Sequence, residues 1–141
     1  MQRQATAVWS GGLKDGKGTL TTPTGVLKET PYTFVTRFEN TQGTSPEELI
    51  AAAHAGCFAM ALSGELSKAH ITAQRIETTA RVTLDTVDGK PTVTTSELSL
   101  TVNAPGANQA AIDKAANDAK AGCPVSRLLN AKVTLAMTVH V

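Results

Sequence analysis

The stretch TSPEELIAAAHAGCFAMAL, residues 44–62, decides the reading of this chain. It opens with the marks of a helix start. Ser45 is a good N-cap, Pro46 suits the first helical position, and Glu48 completes a capping box with Ser45. The helix is expected to run from about Pro46 to Lys68. Between Leu49 and Leu62 its apolar residues go all round instead of forming a stripe, and many are Ala or Gly. Such a helix is expected to be buried on several sides and closely packed, at the centre of the domain or in a subunit interface. The uncharged run is fourteen residues long, too short to span a bilayer, so no membrane partner is expected.

Upstream, the pattern predicts a β meander. Gln4–Trp9 reads as a first strand, followed by turns at Gly11, Gly12, Gly16 and Gly18. Thr19–Thr22 is a second short strand, and Thr24-Gly25 a turn. Residues Tyr32–Phe38 alternate, with Tyr32, Phe34, Thr36 and Phe38 on one face and Thr33, Val35 and Arg37 on the other, which predicts a half-buried strand. Downstream, Glu77–Asp85 and Thr92–Asn103 are strand-like, and Asp88-Gly89 marks the hairpin between them. Ala107–Ala121 reads as an Ala-rich helix ended by Gly122. Cys123-Pro124 starts a short helix to about Leu129, and Lys132–Val141 alternates as a last strand, with Val133, Leu135, Met137 and Val139 on one face. The order predicts an α+β fold with mostly antiparallel pairing in a single domain, 1–141.

Composition narrows the function classes. The chain has 141 residues, 41% hydrophobic and 18% charged, enough for a self-sufficient core. A net charge of +1 offers no basic excess, which argues against nucleic acid as a partner. The N-terminal residues MQRQATAVWSGG lack the apolar region of a secretory signal, so a cytoplasmic protein with reduced thiols is expected. Two widely spaced cysteines and three scattered histidines suit neither a disulfide scaffold nor a metal cage, and no cofactor is expected.

Five residues could carry chemistry. Cys57 lies about 16 Å into the central helix, beyond useful reach of the helix dipole, so a reactive Cys57 needs a cation from elsewhere in the fold. Otherwise it is a small buried hydrophobe. Cys123 precedes a helix start, where free N–H groups favour a thiolate, and by local electrostatics it is the better candidate for a depressed pKa. His54 shares a helix face with Cys57, which admits a cysteine hydrolase pair as well as a satisfied core histidine. Arg37, a lone charge among Thr, Val and aromatics, is either a snorkelling edge residue or the cation that Cys57 lacks. Glu47 is free of capping duty and could hold Arg37. It is about 15 Å from Cys57 along a straight helix, so the two share a site only if the helix bends or a second subunit contributes.

Several segments resemble the OsmC/Ohr family of organic hydroperoxide-reducing thiol peroxidases. Residues 44–62 are similar to the helix that carries the family's peroxidatic cysteine, with Ser45 where Asn is usual. AKAGCPVS, residues 119–126, is similar to its resolving-cysteine motif. The likeness continues at Trp9, GKG (16–18), GVL (25–27), PY (31–32) and TRFE (36–39). The early loop GGLKDGKG (11–18) holds lysines and no arginine, so Arg37 fits the OsmC branch and not the Ohr branch. The resemblance implies an OsmC-like fold, with antiparallel sheets around a long buried central helix, in an intertwined homodimer with sites at the interface. It makes Cys57 the peroxidatic nucleophile, Cys123 the resolving thiol, Arg37 the thiolate-stabilising cation and Glu47 its anchor. This reverses the order of the two thiols given by the dipole. It also implies an organic hydroperoxide substrate and a dithiol reductant of lipoyl type. The competing reading is a non-enzymatic, stress-related binding domain with inert buried cysteines.

Overall fold

Asp88 and Gly89 both adopt positive φ, 51° and 75°, the backbone of a two-residue hairpin turn whose twist matches that of its strands. They join β4 (Arg75–Val87) to β5 (Lys90–Asn103) in the antiparallel hairpin that the Asp-Gly pair predicts. The computed structural model describes residues 1–39 and 41–141. Among these it forms two units, Met1–Leu49 and Ile50–Val141.

In the first unit, β1 (Thr6–Ser10), β2 (Lys17–Thr21) and β3 (Thr30–Tyr32) form an antiparallel sheet in the order β1-β2-β3. Trp9 and Tyr32 meet across β2 with ring centroids 5.5 Å apart. Gly18 lies beneath both rings. A Cβ there would stand 2.5 Å from Tyr32 Cε1 and 2.7 Å from Trp9 Cε3, so this strand position admits only glycine.

The strand predicted over Tyr32–Phe38 is not formed. Pairing stops at Tyr32, and α1 (Phe34–Phe38) follows. Thr33 and Thr36 cap this helix reciprocally: Thr33 Oγ1 accepts from the Thr36 N–H, and Thr36 Oγ1 accepts from the Thr33 N–H. Phe34 and Phe38, read as alternate positions of a strand, are equally an i,i+4 helical pair, and their rings pack at 4.7 Å. Over so short a segment periodicity does not separate the two readings, and the threonine cap decides between them.

In the second unit, the long helix α2 (Pro46–Lys68, whose first turn belongs to the first unit) is followed by β4 and β5. Then come α3 (Gln109–Gly122), α4 (Pro124–Leu128) and β6 (Lys132–His140). The sheet order is β4-β5-β6, but β6 runs parallel to β5. The two helices between them return the chain to the same end of the sheet, as a parallel pair requires. The inward residues Leu98, Leu100 and Val102 of β5 meet Phe58, Leu62 and Leu66 of α2 and Ile112, Ala116 and Ala119 of α3 in one core. Val133, Leu135, Met137 and Val139 join it, as their alternation predicts.

Two features of α2 differ from expectation. Ser45 Oγ accepts from the Glu48 N–H, but the Glu48 carboxylate accepts from the Thr44 hydroxyl, so the predicted box is half made. The helix is also not buried all round. His54, Phe58, Leu62 and Leu66, one i,i+4 stripe, are fully covered. Ala52, Ala53, Gly56, Met60 and Gly64 are exposed, Met60 at 79%. By length and composition α2 could cross a membrane. Its buried stripe gives it the place of a core helix.

Candidate active site

α3 ends at Gly122 and α4 begins with Pro124, so Cys123 is at once the C-cap of one helix and the N-cap of the next. Pro124 has no N–H to lose at the first helical position. This junction turns the Cys123 side chain inward, where it is fully buried, and sets its sulfur 2.9 Å from that of Cys57 on α2. Both thiols are free, and Cys57 is the more accessible.

The surroundings of the two sulfurs differ. Burial pushes the Cys57 thiol up, its contact with Cys123 acts the same way, and the Val125 N–H opposes them only in part. Burial also acts upward on Cys123 and is the largest single influence there. It is outweighed by the neighbouring Cys57 thiol, the backbone of Ser126 and Val125 and the Ser126 side chain, which together hold this thiol below its ordinary value. The local argument for an acidic Cys123 therefore describes this chain taken alone, and an ionised Cys57 needs a cation from outside its immediate surroundings.

His54 does not serve Cys57 as a base. Its Nδ1 lies 2.7 Å from Ser96 Oγ on β5, and its Nε2 lies 2.8 Å from Ser126 Oγ on α4, so both ring nitrogens are occupied. Burial lowers its pKa and keeps the ring neutral. The hydrolase reading loses its geometry. Ser96 and Ser126 were not among the residues read as chemical. Ser126, three residues after Cys123 in a helix-start motif, carried a usable signal, whereas Ser96 carried none.

In the first unit, α1 aims Arg37 at Glu47 in the first turn of α2. Arg37 Nη2 and Nε donate to Glu47 Oε1 at 3.0 and 3.1 Å, and Nε also reaches Oε2 at 3.4 Å. Glu47 is 9% exposed, an acidic residue tolerated there because it is paired. Arg37 also lies over the Phe38 ring, 5.1 Å from its centroid. Arg37 therefore belongs to a helix and not to the predicted third strand. Beside it opens an apolar cleft of about 250 Å³ lined by Trp9, Leu13, Tyr32, Phe34, Phe38 and Arg37 itself. Four of the five candidate residues thus come together as two pairs, Arg37 with Glu47 and Cys57 with Cys123. Among the described residues no cluster of His, Cys, Asp and Glu suits a metal ion.

An α+β chain with two free thiols in sulfur–sulfur contact has the makings of a thiol-based redox protein. Residues 39–138 match the family model of OsmC-like proteins. The chain is 49% identical over 135 residues to Peroxiredoxin OsmC of Escherichia coli (strain K12), covering 96% of this chain and 94% of that protein. Its fold is similar to OhrB, an organic hydroperoxide resistance protein of Bacillus subtilis, with a TM-score of 0.67 and 26% identity over 96% of this chain and 98% of that one. An OsmC-like protein of Mycoplasma pneumoniae superposes with a TM-score of 0.77 over 100% of this chain and 99% of that one, at 15% identity, a likeness of fold alone. This chain belongs to the OsmC-like family.

Proposed function

We propose that this chain is a thiol-dependent peroxidase that reduces organic hydroperoxides to alcohols, with Cys57 as peroxidatic and Cys123 as resolving cysteine. The observation that carries this reading is the 2.9 Å contact between two free sulfurs. Access supports the order of the roles, because Cys57 is half-buried whereas Cys123 is sealed. The Cys57 thiolate attacks the distal oxygen of ROOH. The S–O bond forms, the O–O bond breaks, and the departing alkoxide takes a proton and leaves as ROH. Cys57 is now a sulfenic acid. The Cys123 thiolate attacks it, the S–S bond forms, and hydroxide leaves as water once protonated. A dithiol reductant, for which a lipoyl-type donor is the fitting class, restores both thiols by two exchanges and is itself oxidised to a disulfide.

Arg37 supplies the positive charge that Cys57 lacks in its own surroundings, and Glu47 orients it. A guanidinium offers five N–H donors, and the contact with Glu47 employs only its Nε and Nη2 side. The apolar cleft beside Arg37 takes the alkyl group of the peroxide. The chain acts as one cytoplasmic domain, 1–141, paired with a second copy. The exposed face of α2 supports such pairing, since Ala52, Ala53 and Gly56 are small enough to let a second helix approach closely and Met60 offers exposed apolar surface on the same helix. The test is peroxide consumption with a dithiol donor, comparing cumene hydroperoxide with hydrogen peroxide. Cys57→Ser is expected to abolish turnover of both, and the wild type to prefer the organic substrate. Turnover that survives in Cys57→Ser and vanishes in Cys123→Ser reverses the roles. Turnover that survives in both leaves the cysteines inert.

A further inference from the structure

α4 is five residues long, too short to be stable by itself, and none of its residues is fully buried, so packing holds it only lightly. A polar tie adds to that hold. Ser126 Oγ lies 2.8 Å from Nε2 of His54, a fully buried side chain of α2 that takes no part in the peroxide chemistry. His54 is in turn braced from the sheet, where its Nδ1 lies 2.7 Å from Oγ of the fully buried Ser96 on β5. A neutral imidazole has one donor and one acceptor nitrogen, and a hydroxyl serves as either, so both bonds hold with either tautomer. The placing of these residues matches that of the two sulfurs. His54 precedes Cys57 by three residues on α2, and Ser126 follows Cys123 by three residues at the start of α4. Each step is nearly one helical turn, about 4.5 Å of rise. The His54–Ser126 and Cys57–Cys123 contacts are therefore successive rungs between segments that run in opposite directions, and two rungs fix both the register and the rotation of α4 on α2.

We propose that the His54–Ser126 rung keys α4 to α2 and holds Cys123 in place for its attack on the Cys57 sulfenic acid, with His54, braced by Ser96, as the positioning residue. This rests on the peroxidase reading above and adds to it a device for the resolving step. In that step the Cys123 sulfur bonds to the Cys57 sulfur, the S–O bond breaks, and the hydroxyl leaves with the Cys123 thiol hydrogen as water. The sulfur rung changes at every stage. Cys123 donates to Cys57 at 2.9 Å in the reduced pair, Cys57 then carries an oxygen, and the two end in a covalent bond. The His54–Ser126 rung meets no reactant and stays the same throughout, so it preserves the alignment while Cys57 is a sulfenic acid.

Positioning of this kind acts as a local concentration. Without the rung, α4 leaves its keyed setting more often, and a buried His54 nitrogen without its partner disfavours that setting further. Since packing holds α4 only lightly, loss of one net hydrogen bond lowers the effective concentration of Cys123 at Cys57 about fivefold. The rate of disulfide formation and the disulfide's equilibrium against a dithiol shift by a similar factor.

The experiment equilibrates the full chain with mixtures of oxidised and reduced dithiothreitol, quenches in acid, alkylates free thiols in denaturant and reads the Cys57–Cys123 disulfide by intact mass. Ser126→Ala is expected to raise the ratio of oxidised to reduced dithiothreitol at the midpoint about fivefold. After a pulse of cumene hydroperoxide it is expected to slow disulfide formation by a similar factor, with sulfenic acid formation unchanged. Ser126→Thr, which keeps the hydroxyl, is expected to stay near wild type on both counts. His54→Gln, whose amide can reach Ser126, is expected to lie closer to wild type than His54→Ala. Should His54→Ala fail to fold, the Ser126 variants carry the test alone. Ser67→Ala removes an exposed bond to the Ser63 carbonyl elsewhere on α2 and is the control, expected to change neither reading. A loss of stability by itself moves neither reading while the protein stays folded. An unchanged midpoint in Ser126→Ala, or equal slowing of sulfenic acid and disulfide formation, overturns the rung. If Cys123→Ser gains no oxygen at Cys57 under cumene hydroperoxide, the peroxidase reading falls, while the dithiothreitol midpoint still decides whether the rung holds the sulfurs together.

Discussion

Glu47→Gln isolates what the contact with Arg37 does. The substitution keeps the side chain's shape and one carbonyl oxygen, so the contacts that Oε1 accepts at 3.0 and 3.1 Å can persist. It removes the charge and the weaker 3.4 Å contact at Oε2. Two effects compete. On stability, the Glu47 side chain is 11% exposed but that of Arg37 is 39% exposed, so water screens the pair and the cost is about 1 kcal/mol. On activity, an arginine released by as little as ~1 Å can lower the rate by up to about a hundredfold if it must meet a thiolate and a peroxide oxygen in fixed geometry. The assay pairs equilibrium denaturation with kcat/KM for cumene hydroperoxide. Asp118→Asn, which breaks the exposed pair between Lys114 and Asp118 on α3, is the control and is expected to leave activity unchanged. Glu47→Gln is expected to lose activity far beyond its loss of stability. Full activity in a Glu47→Gln protein destabilised by about 1 kcal/mol refutes the positioning role and makes the ion pair purely structural.

Phe58, fully buried between α2 and β5, is expected to cost about 3–5 kcal/mol when replaced by Ala, read from urea denaturation. Met60→Glu sets a charge on the exposed face of α2 and is expected to turn a dimer into a monomer in sedimentation velocity while the monomer keeps its helical circular dichroism signal. Burial lowers the folded-state pKa of His54 below its ordinary 6.5, so below that pH the unfolded chain binds the extra proton. The contribution of His54 is therefore complete above about pH 6.5 and is lost as pH falls toward the lowered folded value. A plot of unfolding free energy against pH is expected to be flatter in this window for His54→Gln than for the wild type.

The sequence spoke most clearly where a single residue type forces the backbone. Asp88-Gly89 fixed the β4–β5 hairpin because both positions need positive φ. Ser45-Pro46 fixed the start of α2, and Gly122-Cys123-Pro124 fixed the break between α3 and α4. Where several weak preferences coincide it was ambiguous. Phe34 and Phe38 satisfy period two and period four alike, and the threonine cap that decides for a helix is an ordinary pair of residues. The parallel direction of β6 lies in the crossover through α3 and α4 and not in its own alternation. At the site, both cysteines, Arg37 and Glu47 stood out because their residue types are chemically suggestive. Of the partners of His54, Ser126 is marked only by its place in the helix-start motif after Cys123, and Ser96 acquires meaning only when β5 closes on the helix from a different part of the chain.

The central claim is a division of labour between two sulfurs 2.9 Å apart, and intact mass after one equivalent of cumene hydroperoxide tests it most directly. The account predicts that the reduced wild type loses two hydrogens as the Cys57–Cys123 disulfide forms. Cys123→Ser gains one oxygen at Cys57, and Cys57→Ser keeps its mass. An oxygen gained at Cys123 in Cys57→Ser, with no adduct in Cys123→Ser, would contradict it.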